Sequence, residues 1–210
     1  MKQKWMICLA LASSLHAIAW GQNTLPQTDC LAIGGGIMTG VGQGSSDFMD
    51  KAGKPLCYTV GGDYRHYLVP AFAVGATYEF ITSKQGENKL RCHYIAPTLT
   101  LRFLMDEDKH GVLFTLGGGY FHYADRVHHS QRVKSTFNKG YFGLSADIGY
   151  EFTVSKKTSM LVKASFLMAD WHSNPDYQPK FMRNDPDEYQ SMFESSLMYA
   201  SLGIALQFGK

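Results

Sequence analysis

The chain has 210 residues, with 20 Lys and Arg against 18 Asp and Glu, a net charge of +2 and no block of like charge, which excludes a nucleic-acid surface built on a basic run. It carries 21 Gly, 12 Tyr and 13 Phe but no unbroken apolar run of the ~18 residues that a membrane helix needs, so a helical membrane protein is excluded as well. The length suits one domain and is short for two.

The first residues, "MKQKWMICLALASSLHAIAWGQ", set Lys2 and Lys4 before an apolar run over 5–15 and small residues at Ala19 and Gly21. That is the layout of a secretory signal peptide, assigned to 1–21, with a single domain expected over 22–210. Cys8 lies too early for a lipoprotein cleavage site, and Cys30 follows Thr28 and Asp29, so an exported, non-lipidated protein is expected. Cys30, Cys57 and Cys92 would survive processing, an odd number that allows at most one bridge. Cys57 and Cys92 fall on strands two apart, which puts their Cα atoms near ~10 Å and leaves their pairing open.

Eight segments of alternating polarity follow, over 31–41, 57–67, 72–83, 92–104, 112–123, 141–153, 160–171 and 195–208. They are longer than the ~5 to 6 residues of an ordinary soluble strand. The connections after the second, fourth and sixth are short ("LVPA", "MDEDKHG", "SKKTS"), whereas 42–56, 84–91, 124–140 and 172–194 read as long loops. Short turns at one end and long loops at the other predict an up-and-down antiparallel meander with two unlike ends, as in a transmembrane barrel.

Alternation alone does not separate a soluble barrel, apolar inside, from a membrane barrel, apolar outside. The residue types decide. Positions in phase with Asp147 are mostly small (Gly75, Thr77, Thr98, Thr100, Gly117, Gly119, Ser165, Ser201, Gly203, Ala205), which suits the narrow interior of an eight-stranded barrel. The seven charges well within strands are Asp63, Arg65, Glu79, Arg102, Asp147, Glu151 and Lys163. All share that parity, and a lipid-facing Lys or Arg at mid-bilayer would cost roughly 2 to 4 kcal/mol. The other face carries Tyr58, Tyr64, Tyr78, Phe80, Tyr120, Phe142, Tyr150, Phe152 and Phe208, mainly near strand ends, where amphipathic rings suit a membrane interface. The expected fold is therefore an all-β, eight-stranded antiparallel up-and-down transmembrane β-barrel with a polar, small-residue interior.

The last strand ends in "SLGIALQF", with Ser201, Gly203, Leu206 and Phe208 spaced like the terminal signal that the outer-membrane assembly machinery reads; Gly209 and Lys210 follow where that signal usually ends the chain. With it, residues 30 to 210 resemble the small outer-membrane barrels of the OmpA/OmpX type. The resemblance implies a bacterial outer-membrane protein in contact with the bilayer, with outer-leaflet lipopolysaccharide and with the assembly machinery. No peptidoglycan-binding domain is expected after strand eight.

An eight-stranded barrel is filled by its own side chains, which disfavours a general diffusion porin. The seven interior charges are expected to plug it as a salt-bridge network, with a narrow gated channel as the alternative. Function then moves to the loops. The segment 172–194 holds three prolines and five acids against two bases. The segment 124–140 holds Arg126, Arg132, Lys134 and Lys139, suited to anionic lipid phosphates or to an extracellular partner. A monomer is expected.

A lipid A-modifying enzyme is the remaining alternative, on the partial matches "HHSQ" (His128, Ser130) and "WHSN" (His172, Ser173, Asn174). On a strand a catalytic His and Ser need spacing two to share a face, and His172 and Ser173 have spacing one. His128 with Ser130 lacks the following Asn. His122, His128 and His129 lack the Cys or carboxylate partners of a closed metal site. No catalytic residue, cofactor or metal is therefore assigned.

Overall fold

In the computed structural model the described residues are 29–41, 56–105, 110–128, 134–155, 157–169 and 197–209. They form eight strands: β1 (Asp29–Gly40), β2 (Cys57–Val69), β3 (Phe72–Gln85), β4 (Asn88–Met105), β5 (His110–His128), β6 (Lys134–Ser155), β7 (Thr158–Ala169) and β8 (Leu197–Gly209). Each pairs antiparallel with the next, and β8 closes on β1 from Cys30↔Gly209 to Gly40↔Tyr199, giving a closed barrel with no free edge. Closure satisfies every ladder without water, the condition for a sheet to stand in a bilayer. Trp171 and the segment 172–194 lie outside the described residues, as do residues 1–28 with the expected signal peptide.

The wall is inside out relative to a soluble barrel. Leu31, Ile33, Leu99, Phe114, Leu116, Ile148, Leu202 and Ile204 are exposed on the outer face, while Arg65, Arg102 and Glu151 are buried within. Glycine lets the wall close. A Cβ on inward Gly36 of β1 would meet the carbonyl oxygen of Leu202 and sit 2.6 Å from the Cα of Gly203, so a side chain there would push β8 away from β1.

Pro97 sits within β4, where it lacks an N–H. It pairs with Ala76 of β3, and the β4–β5 ladder passes from Ile95↔Tyr120 to Thr98↔Gly117 without it.

Two expected loops are strand instead. Residues 84–91 contain the ends of β3 and β4 joined by a tight turn at Gly86 (φ 60) and Glu87, and β5 and β6 carry 124–128 and 134–140 in continuous register from Ala124↔Asn138 to His128↔Lys134. The reason lies in the pattern. Along β4 the outward residues change from Ile95 and Leu99 to Lys89, Arg91 and His93, while the inward ones change from Thr98, Thr100 and Arg102 to Leu90, Cys92 and Tyr94. Above the apolar band the outer face meets polar surroundings, so the hairpins revert to polar outside and apolar inside.

Candidate functional site

The lumen is layered. Nearest the turn end, Arg102 Nη2 lies 2.9 Å from Glu151 Oε1, which also accepts from Gln207 Nε2 at 2.7 Å. Gln207 in turn accepts from Arg65 Nη1 at 2.9 Å, and the Arg102 guanidinium stands 5.2 Å from the ring centre of Tyr67. Each buried charge thus has an oppositely charged or amide partner, which offsets part of the cost of burying it.

The next layer is built on Lys163, 3.4 Å from Asp63 and 4.0 Å from Asp147. Thr77 donates to Asp63 at 2.6 Å, and Arg65 Nη2 lies 3.5 Å from the same carboxylate, joining the two layers. Glu79 faces a cavity of 40 Å³ with Asp63, Lys163 and Ser201, against the glycines of β1, β2 and β8. That volume holds a very few waters and no solute. The seven sequence-predicted charges therefore occupy one half of the lumen.

Two contributors were not singled out from the sequence. Gln207 lies inside the quoted "SLGIALQF" and continues the inward row Ser201, Gly203, Ala205, so parity alone could have found it. Tyr67 reads as one more strand aromatic, and nothing in its spacing announces the guanidinium above it. Of the terminal-signal residues, Ser201 and Gly203 turn inward, whereas Leu206 and Phe208 are exposed on the outer face.

The loop-end half of the lumen is largely apolar, with Ser83 and Asp125 buried beside it, unlike the expected polar interior. Met38, Cys57, Ile81, Leu90, Cys92, Tyr94, Phe121, Tyr123, Val127, Leu167 and Tyr199 form one buried cluster. Tyr94 donates to Ser145 at 3.1 Å where the cluster meets the polar half. Physically this is the interior of a soluble β-hairpin stack continued above the membrane band. Cys30, Cys57 and Cys92 stand as buried thiols.

Outside, a ring belt crosses four strands. Tyr78 and Phe80 of β3, His93 of β4, and Tyr120 and His122 of β5 pack ring against ring at centroid distances of 5.0 to 6.3 Å, with Phe142 of β6 opposite Tyr120. Tyr78 Oη meets His93 Nδ1 at 2.9 Å, and His122 Nε2 lies 2.7 Å from Asn138 Oδ1. Beyond this belt Lys84, Lys89, Arg91 and Arg126 are exposed on the outer wall. Lys139, grouped with Arg126 by sequence, faces the other way, its ammonium 5.8 Å from the Tyr141 ring. Arg132 lies outside the described residues, as do His129, Ser130, His172, Ser173 and Asn174. His128 pairs with Glu87 at 3.5 Å.

An apolar outer wall, ringed by aromatics and closed around ions, is the arrangement a lipid bilayer demands. No protein-family model matches the chain, and no curated protein is similar to it in sequence. Among solved structures it is similar to Neisserial surface protein A, with a TM-score of 0.60 at 8% identity over 87% of this chain and 97% of that one. It is also similar to the outer membrane protein OprG from Pseudomonas aeruginosa, with a TM-score of 0.50 at 11% identity over 89% and 100%. The chain has the fold of a small outer-membrane β-barrel. The likeness is one of fold, a closed eight-stranded barrel whose apolar outer wall suits a membrane.

Proposed function

We propose that this outer-membrane barrel is a closed, non-catalytic protein that spans the membrane as a rigid post and acts through its extracellular end. The observation that carries the reading is the set of side chains that point into the lumen. Two ionic layers, centred on Arg102–Glu151 and on Lys163–Asp63, lie in series with an apolar plug of Tyr94, Phe121 and Tyr199. An ion crossing the barrel would shed much of its hydration among the buried aromatic and aliphatic side chains of the loop-end half. What differs from residue to residue at the loop end is therefore free to serve recognition. A partner outside the cell, met through 124–140 and 172–194, fits that reading, as does recognition of Ser201, Gly203, Leu206 and Phe208 during assembly.

Planar-bilayer recording tests the closed lumen, with silence as the expected result. Stable unitary currents from the native protein would favour the second reading, a narrow channel, for which the cavity beside Asp63, Glu79 and Lys163 is the supporting feature. An altered lipid A mass spectrum on overexpression would overturn the non-catalytic part. Binding of intact cells to an external partner, lost when 172–194 is shortened while the barrel still folds, is the expected outcome for the surface role.

A further inference from the structure

The outer wall just beyond the aromatic belt carries an arrangement that folding alone does not explain. Lys84 of β3 is directly opposite Lys89 of β4, and Lys89 is directly opposite Arg126 of β5. All three side chains are exposed on the same outer face, and Arg91 stands two residues below Lys89 on β4. Like charges placed opposite each other across strands destabilise a sheet. Among the described residues near this row, Glu87 is turned to His128, and Asp125 accepts from Tyr123 Oη at 2.7 Å.

Height adds a second argument. Lys84 lies four residues beyond Phe80 on its strand, Arg91 and Lys89 two and four beyond His93, and Arg126 six beyond Tyr120. At ~3.3 Å per residue and a barrel tilt of ~40°, the cations stand on the order of 5 to 15 Å outside the ring belt. That is the zone of lipid headgroups, since rings of this kind mark the boundary of the hydrocarbon. Two shallow depressions, of 210 and 330 Å³, open on this wall; Lys89 and Arg126 line both, with Arg91 and Asp125 at the first and Lys84 and Glu87 at the second.

We propose that Lys84, Lys89, Arg91 and Arg126 form a binding site for the phosphate groups of an outer-leaflet glycolipid, whose acyl chains lie along the apolar wall below. The site rests on the reading that the loop end faces the outside of the cell. Arg91 and Arg126 supply planar forks that match phosphate oxygens in pairs, and the lysines supply point charges at either side. The anion removes the repulsion along the Lys84–Lys89–Arg126 row.

The test uses full-length protein in dodecylmaltoside micelles and fluorescently labelled diphosphoryl lipid A as the probe, with its dephosphorylated form as control. Native protein is expected to prefer the diphosphoryl form at least tenfold, and K89S/R91S/R126S to lose about a hundredfold in affinity for it, at roughly fivefold per near-surface cation. Single changes Lys89→Ser and Arg126→Ser, each losing several-fold, serve if the triple variant folds poorly. Equal binding of the two lipids, or unchanged affinity in the variants, overturns the site. So does binding of a soluble sulfated polysaccharide through these residues with no binding of lipid A. Migration on an unheated gel is read in parallel. A variant that folds yet does not bind counts for the site, whereas native protein that never migrates as a compact barrel counts against the membrane fold itself.

Discussion

Ile148 and Ser201 state the outcome at the scale of single residues. Ile148 faces outward in the middle of β6, and Ser201 faces the small cavity beside Asp63 and Glu79. Ile148→Lys is expected to lower the stability of protein folded into vesicles by ~2 to 4 kcal/mol, because the ammonium meets lipid. Ser201→Lys should cost less, because it meets carboxylates. Urea titrations read by the gel shift measure both, and the opposite order would mean that the faces are exchanged. Arg102 gives a second test. Arg102→Ala leaves Glu151 buried without its guanidinium and is expected to cost about 3 to 5 kcal/mol, whereas Arg102→Met with Glu151→Leu should recover most of that loss. If the double variant is as unstable as the single one, the pair matters for more than mutual neutralisation. The parity of all seven charges was legible in the sequence. Their partners were not, because Arg65 and Glu151 meet through Gln207, a neutral residue 142 positions from Arg65.

For the elements, strand number, order and the turn at each short connection follow directly from alternation and punctuation. The ends of β3 to β6 do not, because two environments act on one strand. Where lipid gives way to water, apolar and polar residues exchange faces, and a pattern sought with one orientation stops at that boundary. The seam between β1 and β8 depends on a different local feature. Gly36→Val would drive a side chain into the backbone of β8, whereas Gly62, on the outer face, has 3.2 Å to the nearest carbonyl oxygen. Gly36→Val is thus expected to abolish the compact, fast-migrating form, and Gly62→Val to reduce it little. Folded fraction on unheated gels is the measurement, and equal yields would show that the seam tolerates a wider approach.

As a whole molecule the proposed closed barrel has two layers to seal it, paired ions in one half and aromatic and aliphatic side chains in the other. The two seals make separable predictions. Tyr94→Ala, Phe121→Ala and Tyr199→Ala combined would thin the apolar layer, the more ion-resistant of the two, and leave the ionic one in place, so small cation-selective currents are expected from that variant against a silent native barrel. If current appears instead on neutralising Arg102 and Glu151 while the aromatic variant stays silent, the ionic layer is the barrier. Native protein should require detergent for extraction and should run faster unheated than boiled.

By itself the sequence determined the strand count, the antiparallel order, the two unlike ends and which face meets lipid, since each of these is written in local periodicity and in the high cost of a charge in hydrocarbon. Only the tertiary structure decided how the lumen is divided, which ion meets which, and that Lys84, Lys89 and Arg126 stand in one row. Those facts depend on cross-strand register, which joins residues far apart in the chain and is fixed only when β8 closes on β1.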